Sequence, residues 1–209
     1  MKTLLAGKLN NTEILLASHS PRRRELLAQL DIPFVVPELP QVNETYPSHL
    51  DGAEIPQYIT RVKATAYRSH LQPQQLLITA DTIVYLPSSS EQQRGQVLGK
   101  PSNADDAASM LRLLSGREHQ VITAVTLTTS QRQTTFAETS LVCFKPLIDS
   151  EIDYYIHNYA PFDKAGAYGI QEWIGHIGVT RLMGSYTNVM GLPTHRLYSE
   201  LLSFLKIEK

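Results

Sequence analysis

The chain reads as a mixed-sheet α/β protein, on three observations. Strand-like and helix-like segments alternate along its length. The helical ones carry capping residues at their starts. Two long threonine- and valine-rich runs flank a short polar turn, which reads as a hairpin.

The first strand is Glu13–Ser18 (EILLAS), and it runs straight into HSPRRRELLAQL. Ser20 suits an N-cap and Pro21 the first helical position. Leu26, Leu27 and Leu30 then recur at helical spacing. Arg22, Arg23 and Arg24 therefore fall in the first turn, where positive charge opposes the helix macrodipole by roughly 0.3–1 kcal/mol each. An anion on the free amides of that turn reverses the sign, with guanidiniums closing around it. The expected ligand is a phosphate, because α/β sheets bind ligands at the carboxyl ends of their strands. A solvated basic turn touching nucleic acid is the blander alternative.

A proline-rich loop with a brief strand near Phe34–Val36 follows. Ile55, Ile59, Val62 and Ala66 mark a helix from Ala53 to about His70. Leu76–Leu86 (LLITADTIVYL) is one long strand or a strand pair interrupted by Asp81, and SSSEQQRGQ is a turn before Val97–Leu98. Ser102 or Asn103 caps the next helix, whose Met110, Leu111 and Leu114 face inward and which Gly116 ends. His119–Thr129 and Thr134–Phe144 form the hairpin. Ser150 opens a helix with a capping acid at Asp153 and apolar Ile152, Tyr155, Ile156 and Tyr159. Residues 160–193 hold six glycines among strand-like segments, and Thr194–Leu205 closes the chain as an amphipathic helix.

At 209 residues, with 42 % hydrophobic and 19 % charged residues, the chain resembles an ordinary soluble protein. A formal net charge of −1 gives no global field for nucleic acid, so the local positive charge suits a small anion. The single cysteine, Cys143, excludes an internal disulfide and reads as a small buried hydrophobe. Seven histidines without ligand spacing argue against a structural zinc. The N-terminal MKTLLAGKLNN is too short in apolar run for a signal peptide, and no segment reaches membrane-span length. A cytoplasmic protein is expected.

Asp81, at a buried strand, needs a cationic or donor partner, which marks it as the leading catalytic carboxylate. Glu44 alone reads as a solvated loop glutamate; paired with Asp81 it would help hold a hard divalent ion, since Mg²⁺ commonly takes one or two carboxylates plus substrate phosphates. Lys63 reads equally as an exposed helical lysine. Lys100, in the Gly99-Lys100-Pro101 bend, is aimed by its neighbours. Lys164 and Gln171 lie in the glycine-rich stretch, and Gln171 either reads a base edge or ties down a turn. No GxxxxGK[ST], GxGxxG or GxSxG is present, so P-loop, dinucleotide and hydrolase-elbow sites are excluded.

The ordered segments LASHSPRRRELL, NE, ADTIV, GKP, DKAGAYGIQ and NVMGLP resemble the Maf family of nucleoside triphosphate pyrophosphatases, from about Ile14 to Leu202. The resemblance implies one Maf-like domain over residues 1–209, with an elongated mixed sheet and a deep cleft between two lobes, related to the inosine triphosphatases. It implies hydrolysis of a nucleoside triphosphate to the monophosphate and pyrophosphate with Mg²⁺ or Mn²⁺. Asp81 matches the family's catalytic acid. Ser18, Arg22 and Arg23 match its phosphate-binding residues, and Glu44, Lys63 and Lys100 match further polar positions. Arg22, Thr82 and Gln171 match positions tied to substrate choice. The intact Tyr168-Gly169-Ile170-Gln171 resembles the dTTP/UTP branch. A homodimer is compatible with the resemblance, while nucleic-acid and membrane partners are not expected. The other reading is a nucleotide-binding regulator of septum formation. The chain departs from the family pattern at Asn43, where a second acid is common, at Glu172, where glycine is usual, and at Thr123-Ala124-Val125.

Overall fold

The computed structural model describes residues 5, 9, 12–38, 42–88, 90 and 93–205. Most of the N-terminal run, residues 39–41 of the proline-rich loop and residues 89, 91 and 92 of the SSSEQQRGQ turn lie outside the described residues. The architecture is the expected mixed α/β: a seven-stranded sheet flanked by helices.

Strand β1 (Glu13–Ala17) leads through a short turn into α1 (Pro21–Ala28), followed by β2 (Phe34–Val35) and α2 (Glu54–Arg68). Strand β3 (Gln75–Leu86) and β4 (Gln96–Leu98) precede α3 (Ala104–Leu114). The long strands β5 (Glu118–Thr128) and β6 (Gln133–Phe144) lead to α4 (Asp149–Tyr159). A 3₁₀ turn at Ala165–Ala167, α5 (Trp173–Gly178), β7 (Val179–Met183), α6 (Tyr186–Val189) and α7 (Thr194–Phe204) complete the chain. The sheet order is β2-β1-β3-β5-β6-β7, with β4 also on β3. Strand β1 is parallel to both β2 and β3, in the register Ile14↔Leu76, Leu16↔Ile78 and Ala17↔Thr79. Strands β3–β4 and β6–β7 are antiparallel.

The chain forms two compact units. The first comprises Met1–Asp81, Thr123–Glu138 and Gly191–Lys209. Its strands β1 and β3 are near-continuous apolar runs because both faces are covered, as parallel strands require. Leu15 and Leu77 pack with Leu71 and the partly buried Tyr67 beyond and on α2, and Ile14, Leu16, Leu76 and Ile78 are also buried. Helix α1 buries Leu26 and Leu27 but ends at Ala28, so Leu30 falls past its end rather than within it. Asp31, at φ 53°, then turns the chain.

The second unit comprises Thr82–Ile122 and Thr139–Met190. Its core joins Leu111 and Leu114 of α3, Ile152, Tyr155 and Ile156 of α4, and Val142 and Phe144 of β6. Asn103, not Ser102, caps α3, its side chain accepting the Asp106 N–H at 2.9 Å. Gly116, at φ 67°, ends that helix in a conformation that only glycine adopts without strain.

Of the two readings of Leu76–Leu86, the single long strand is the one that forms: β3 runs unbroken through Asp81 for twelve residues, its ladder continuing to β4. Three expectations are corrected. Helix α4 starts at Asp149, and the acid that caps it is Glu151, which accepts the Ile148 N–H at 3.1 Å; Asp153 lies two residues too far along. The glycine-rich stretch contains α5 and α6 besides a strand. Cys143 is half-buried and its thiol donates to Glu118, 3.3 Å away, because alternation on β6 turns it off the core face.

Candidate active site

In the first unit, the arginine turn forms as its residue types require. Ser20 accepts the Arg23 N–H at 3.5 Å, Pro21 occupies the first turn, and no acidic residue offsets the dipole there. Ser18, buried, accepts the Ser20 N–H at 3.2 Å, which shapes the turn between β1 and α1. Because Ala17 pairs with Thr79, this turn sits alongside Ala80 and Asp81 on β3. Arg22 is half-buried and Arg24 donates to the His19 carbonyl at 2.8 Å.

Arg23 is held by main-chain carbonyls from two distant segments. Its Nε donates to the Gly191 carbonyl at 2.9 Å and its Nη1 to the Ala80 carbonyl at 2.9 Å, next to Asp81. Burial pulls its pKa below the ordinary arginine value, the Asp81 carboxylate opposes that pull, Arg22 adds to it, and Glu44 opposes it. The guanidinium remains charged throughout the physiological range.

Lys63 is not an exposed helical lysine. Its ammonium lies 2.8 Å from Asp81 Oδ1 and 3.0 Å from Glu44 Oε1, joining the two carboxylates picked out from the sequence. Asp81 is 8 % exposed, so this partner supplies the pairing that a buried acid needs. The register that puts Lys63 opposite Asp81 is fixed one turn away. The Thr79 hydroxyl donates to the Thr60 carbonyl at 2.9 Å, and the Thr60 hydroxyl lies 2.9 Å from Thr79 Oγ1. Both threonines are fully buried. No sequence signal marks that pair, since either threonine reads as an ordinary position of its own element.

Two carboxylates are a donor set for a shared metal rather than for an all-protein cage. Among the described residues no group of three or more His, Cys, Asp or Glu side chains could hold an ion alone. Asp81 and Glu44 supply hard oxygens converging on one cationic group, which fits Mg²⁺ or Mn²⁺ taken together with substrate phosphates.

In the second unit, Lys100 is exposed in the bend after β4, and Thr82 is half-buried on β3. The Gly166 N–H donates to the Gly99 carbonyl at 3.0 Å, tying the GKP bend to the KAGAYGIQ segment. A Cβ on Gly166, at φ 68°, would meet the Val84 side chain at 2.8 Å, so glycine is needed twice over there. Gln171 occupies the third place of a tight turn closed by the Glu172 N–H on the Gly169 carbonyl at 3.0 Å. The Tyr168 hydroxyl lies 2.7 Å from His119 Nε2, and Phe144 stacks on the same imidazole. Tyr155, Lys164 and Glu172 surround the turn with polar contacts that the sequence did not announce. A tyrosine on an apolar helix face was the available signal, since its buried hydroxyl must find a partner.

Among the described residues no helix is long and apolar enough to cross a membrane. The profile of the family described as Maf-like protein matches residues 13–204. A protein of Bacteroides thetaiotaomicron named dTTP/UTP pyrophosphatase is 54 % identical, over 94 % of this chain and 98 % of its own. A protein of the same name from Phocaeicola vulgatus is 56 % identical, over 92 % and 96 %. Another from Porphyromonas gingivalis strain W83 is 50 % identical, over 96 % and 98 %. Among solved structures, a HAM1 protein from Coxiella burnetii aligns with a TM-score of 0.46 at 16 % identity, covering 92 % of this chain and 99 % of that one. The match over almost the whole length, by profile and by relatives at half identity or more, makes this chain a member of the Maf family.

Proposed function

We propose that this protein hydrolyses dTTP and UTP to the monophosphate and pyrophosphate. The observation that carries the reading is the 54 % identity, over nearly the full length of both chains, to a protein named dTTP/UTP pyrophosphatase. The Asp81–Lys63–Glu44 cluster beside a cationic helix N-terminus is chemistry suited to that reaction.

In this reading the amides of the first turn of α1 and the Arg22 guanidinium hold phosphate oxygens, with Ser18 shaping the turn. Asp81 takes a proton from the attacking water at a carboxylate oxygen. The water oxygen bonds to the α-phosphorus while the α–β bridging bond breaks, its electron pair leaving on pyrophosphate. Lys63 keeps Asp81 oriented. Arg23 holds the Ala80 carbonyl and thereby the backbone that carries the base, besides facing the phosphates. Lys100 offsets negative charge on the phosphates, the dominant demand in phosphoryl-type transfer. Gln171 reads the base with its paired donor and acceptor, and Thr82 and Arg22 contribute to substrate choice. Asp81 and Glu44 would hold Mg²⁺ or Mn²⁺, whose chemistry is charge neutralisation and polarisation of a phosphate oxygen. The same reading puts the enzyme in the cytoplasm.

The test is a panel of dTTP, UTP, CTP, 7-methyl-GTP and the purine triphosphates, each with Mg²⁺ or Mn²⁺ and with products separated chromatographically. Monophosphate and pyrophosphate from dTTP and UTP ahead of the others are expected. Binding of nucleotides without turnover of any would overturn the enzyme in favour of a regulator.

A further inference from the structure

We infer that Tyr155 is a positioning residue for base selection, its phenol oxygen clamping both ends of the turn that carries Gln171. This rests on the pyrophosphatase reading only in taking Gln171 as the base-reading side chain.

The turn runs Gly169-Ile170-Gln171-Glu172 and is closed on itself by one main-chain hydrogen bond, Glu172 N–H to the Gly169 carbonyl. Tyr155 reaches it from the middle of α4, where its side chain is fully buried. Its oxygen accepts the Gly169 N–H at 3.0 Å and donates its own proton to Glu172 Oε2, so one atom ties the first residue of the turn to the last. Glu172 is fixed on its other side by the Lys164 ammonium, 3.1 Å from Oε1, and Lys164 also pairs with Asp163 at 2.7 Å. Burial and the neighbouring Glu172 carboxylate push the Tyr155 phenol above its ordinary pKa, so the donated proton stays in place.

The clamp bears directly on Gln171. A Cβ built on Gly169 would lie 2.8 Å from Glu172 Cδ and 3.1 Å from Gln171 Nε2. The carboxylate that Tyr155 holds and the amide of Gln171 therefore both border the space that the missing Cβ of Gly169 leaves open. Without the Tyr155 oxygen, the carboxylate beside the Gln171 amide loses one of its two anchors and the turn loses the contact that fixes Gly169. Glu172 is thus one half of a support built from Tyr155. It is not merely a bulky neighbour of the site.

Tyr155→Phe removes the oxygen and keeps the ring that the core needs. Glu172→Ala is the second variant, removing the acceptor that Tyr155 donates to and the charge that Lys164 pairs. Thermal unfolding selects whichever variants are folded, and Glu172→Ala carries the test if Tyr155→Phe is not. Each variant, Gln171→Ala and the double variant Tyr155→Phe/Gln171→Ala meet dTTP, UTP, CTP and dGTP, in kinetics and in equilibrium binding. The expected result is a rise in KM or Kd for dTTP and UTP of about 2- to 10-fold, the range that one ordering hydrogen bond spans. It comes with a matching loss of preference over CTP and dGTP, a much smaller change in kcat, and no further loss when Tyr155→Phe is added to Gln171→Ala. An unchanged base preference in the folded variants overturns the clamp, as does a double variant whose losses multiply. Should the wild type bind but hydrolyse none of the four, the pyrophosphatase reading falls, and the clamp is judged on the binding ratios alone.

Discussion

His119 lies fully buried on β5, between the Phe144 ring and the Tyr168 hydroxyl. Burial pulls its pKa from 6.5 to about 4, against a smaller opposing pull from Glu118. In the native state the imidazole is therefore neutral at pH 5, whereas in the unfolded chain it is charged. The unfolded state binds the extra proton, so stability is complete above 6.5 and is lost as pH falls through the window down to about 4. Within that window the loss is about 1.4 kcal/mol per pH unit, and from pH 7 to pH 5 it comes to about 2 kcal/mol. Urea unfolding at intervals from pH 4 to 7 measures it, with His119→Gln as the comparison, since glutamine leaves an amide near the Tyr168 hydroxyl and has no proton to take up. The wild type loses stability more steeply on acidification, the two curves differing in slope by close to one proton. Equal slopes, or an imidazole that titrates near 6.5 by NMR, would refute the reasoning.

Three further outcomes follow from the carboxylate cluster and the arginine turn. Asp81→Asn lowers kcat for dTTP by roughly 10²- to 10⁴-fold with little change in nucleotide binding, the scale of a lost general base, and unchanged turnover would remove Asp81 from the chemistry. Lys63→Met destabilises the fold by leaving Asp81 without its ammonium. The double variant with Asp81→Asn recovers part of that loss, so a double-mutant cycle in urea gives a coupling of about 0.5–3 kcal/mol, and strict additivity would deny the pair. Arg22→Ala raises KM for the triphosphates by about tenfold or more and weakens pyrophosphate inhibition in step, because charge-assisted contacts carry it; an unaltered KM would sink the phosphate role.

The parts of this molecule legible in the sequence are those written in local chemistry. Ser20, Pro21 and the three arginines announce a helix start with reversed charge, and that is what forms. Asp81 declares itself by being an acid inside an apolar strand, although the same break in pattern left one strand and a strand pair equally open. The rest depends on partners that are distant in the chain. Lys63 could not be told from a solvated lysine because its meaning comes from Asp81, and the Thr60–Thr79 bond that sets their register is invisible until helix and strand meet. Helix α5 hides behind two glycines of low helix propensity. Gly175 is there for packing, since a Cβ on it would run into the Ile170 carbonyl. Tyr155 was counted as an apolar position of α4, which its ring is, while its oxygen holds a turn fourteen residues on, at Gly169.

The most direct measurement of the central claim is hydrolysis of dTTP by the purified protein in ¹⁸O-labelled water, with both products read by mass spectrometry. The account predicts one labelled oxygen on dTMP, unlabelled pyrophosphate, and neither product from Asp81→Asn above background. Label on pyrophosphate, or dTDP and inorganic phosphate as the products, would contradict it.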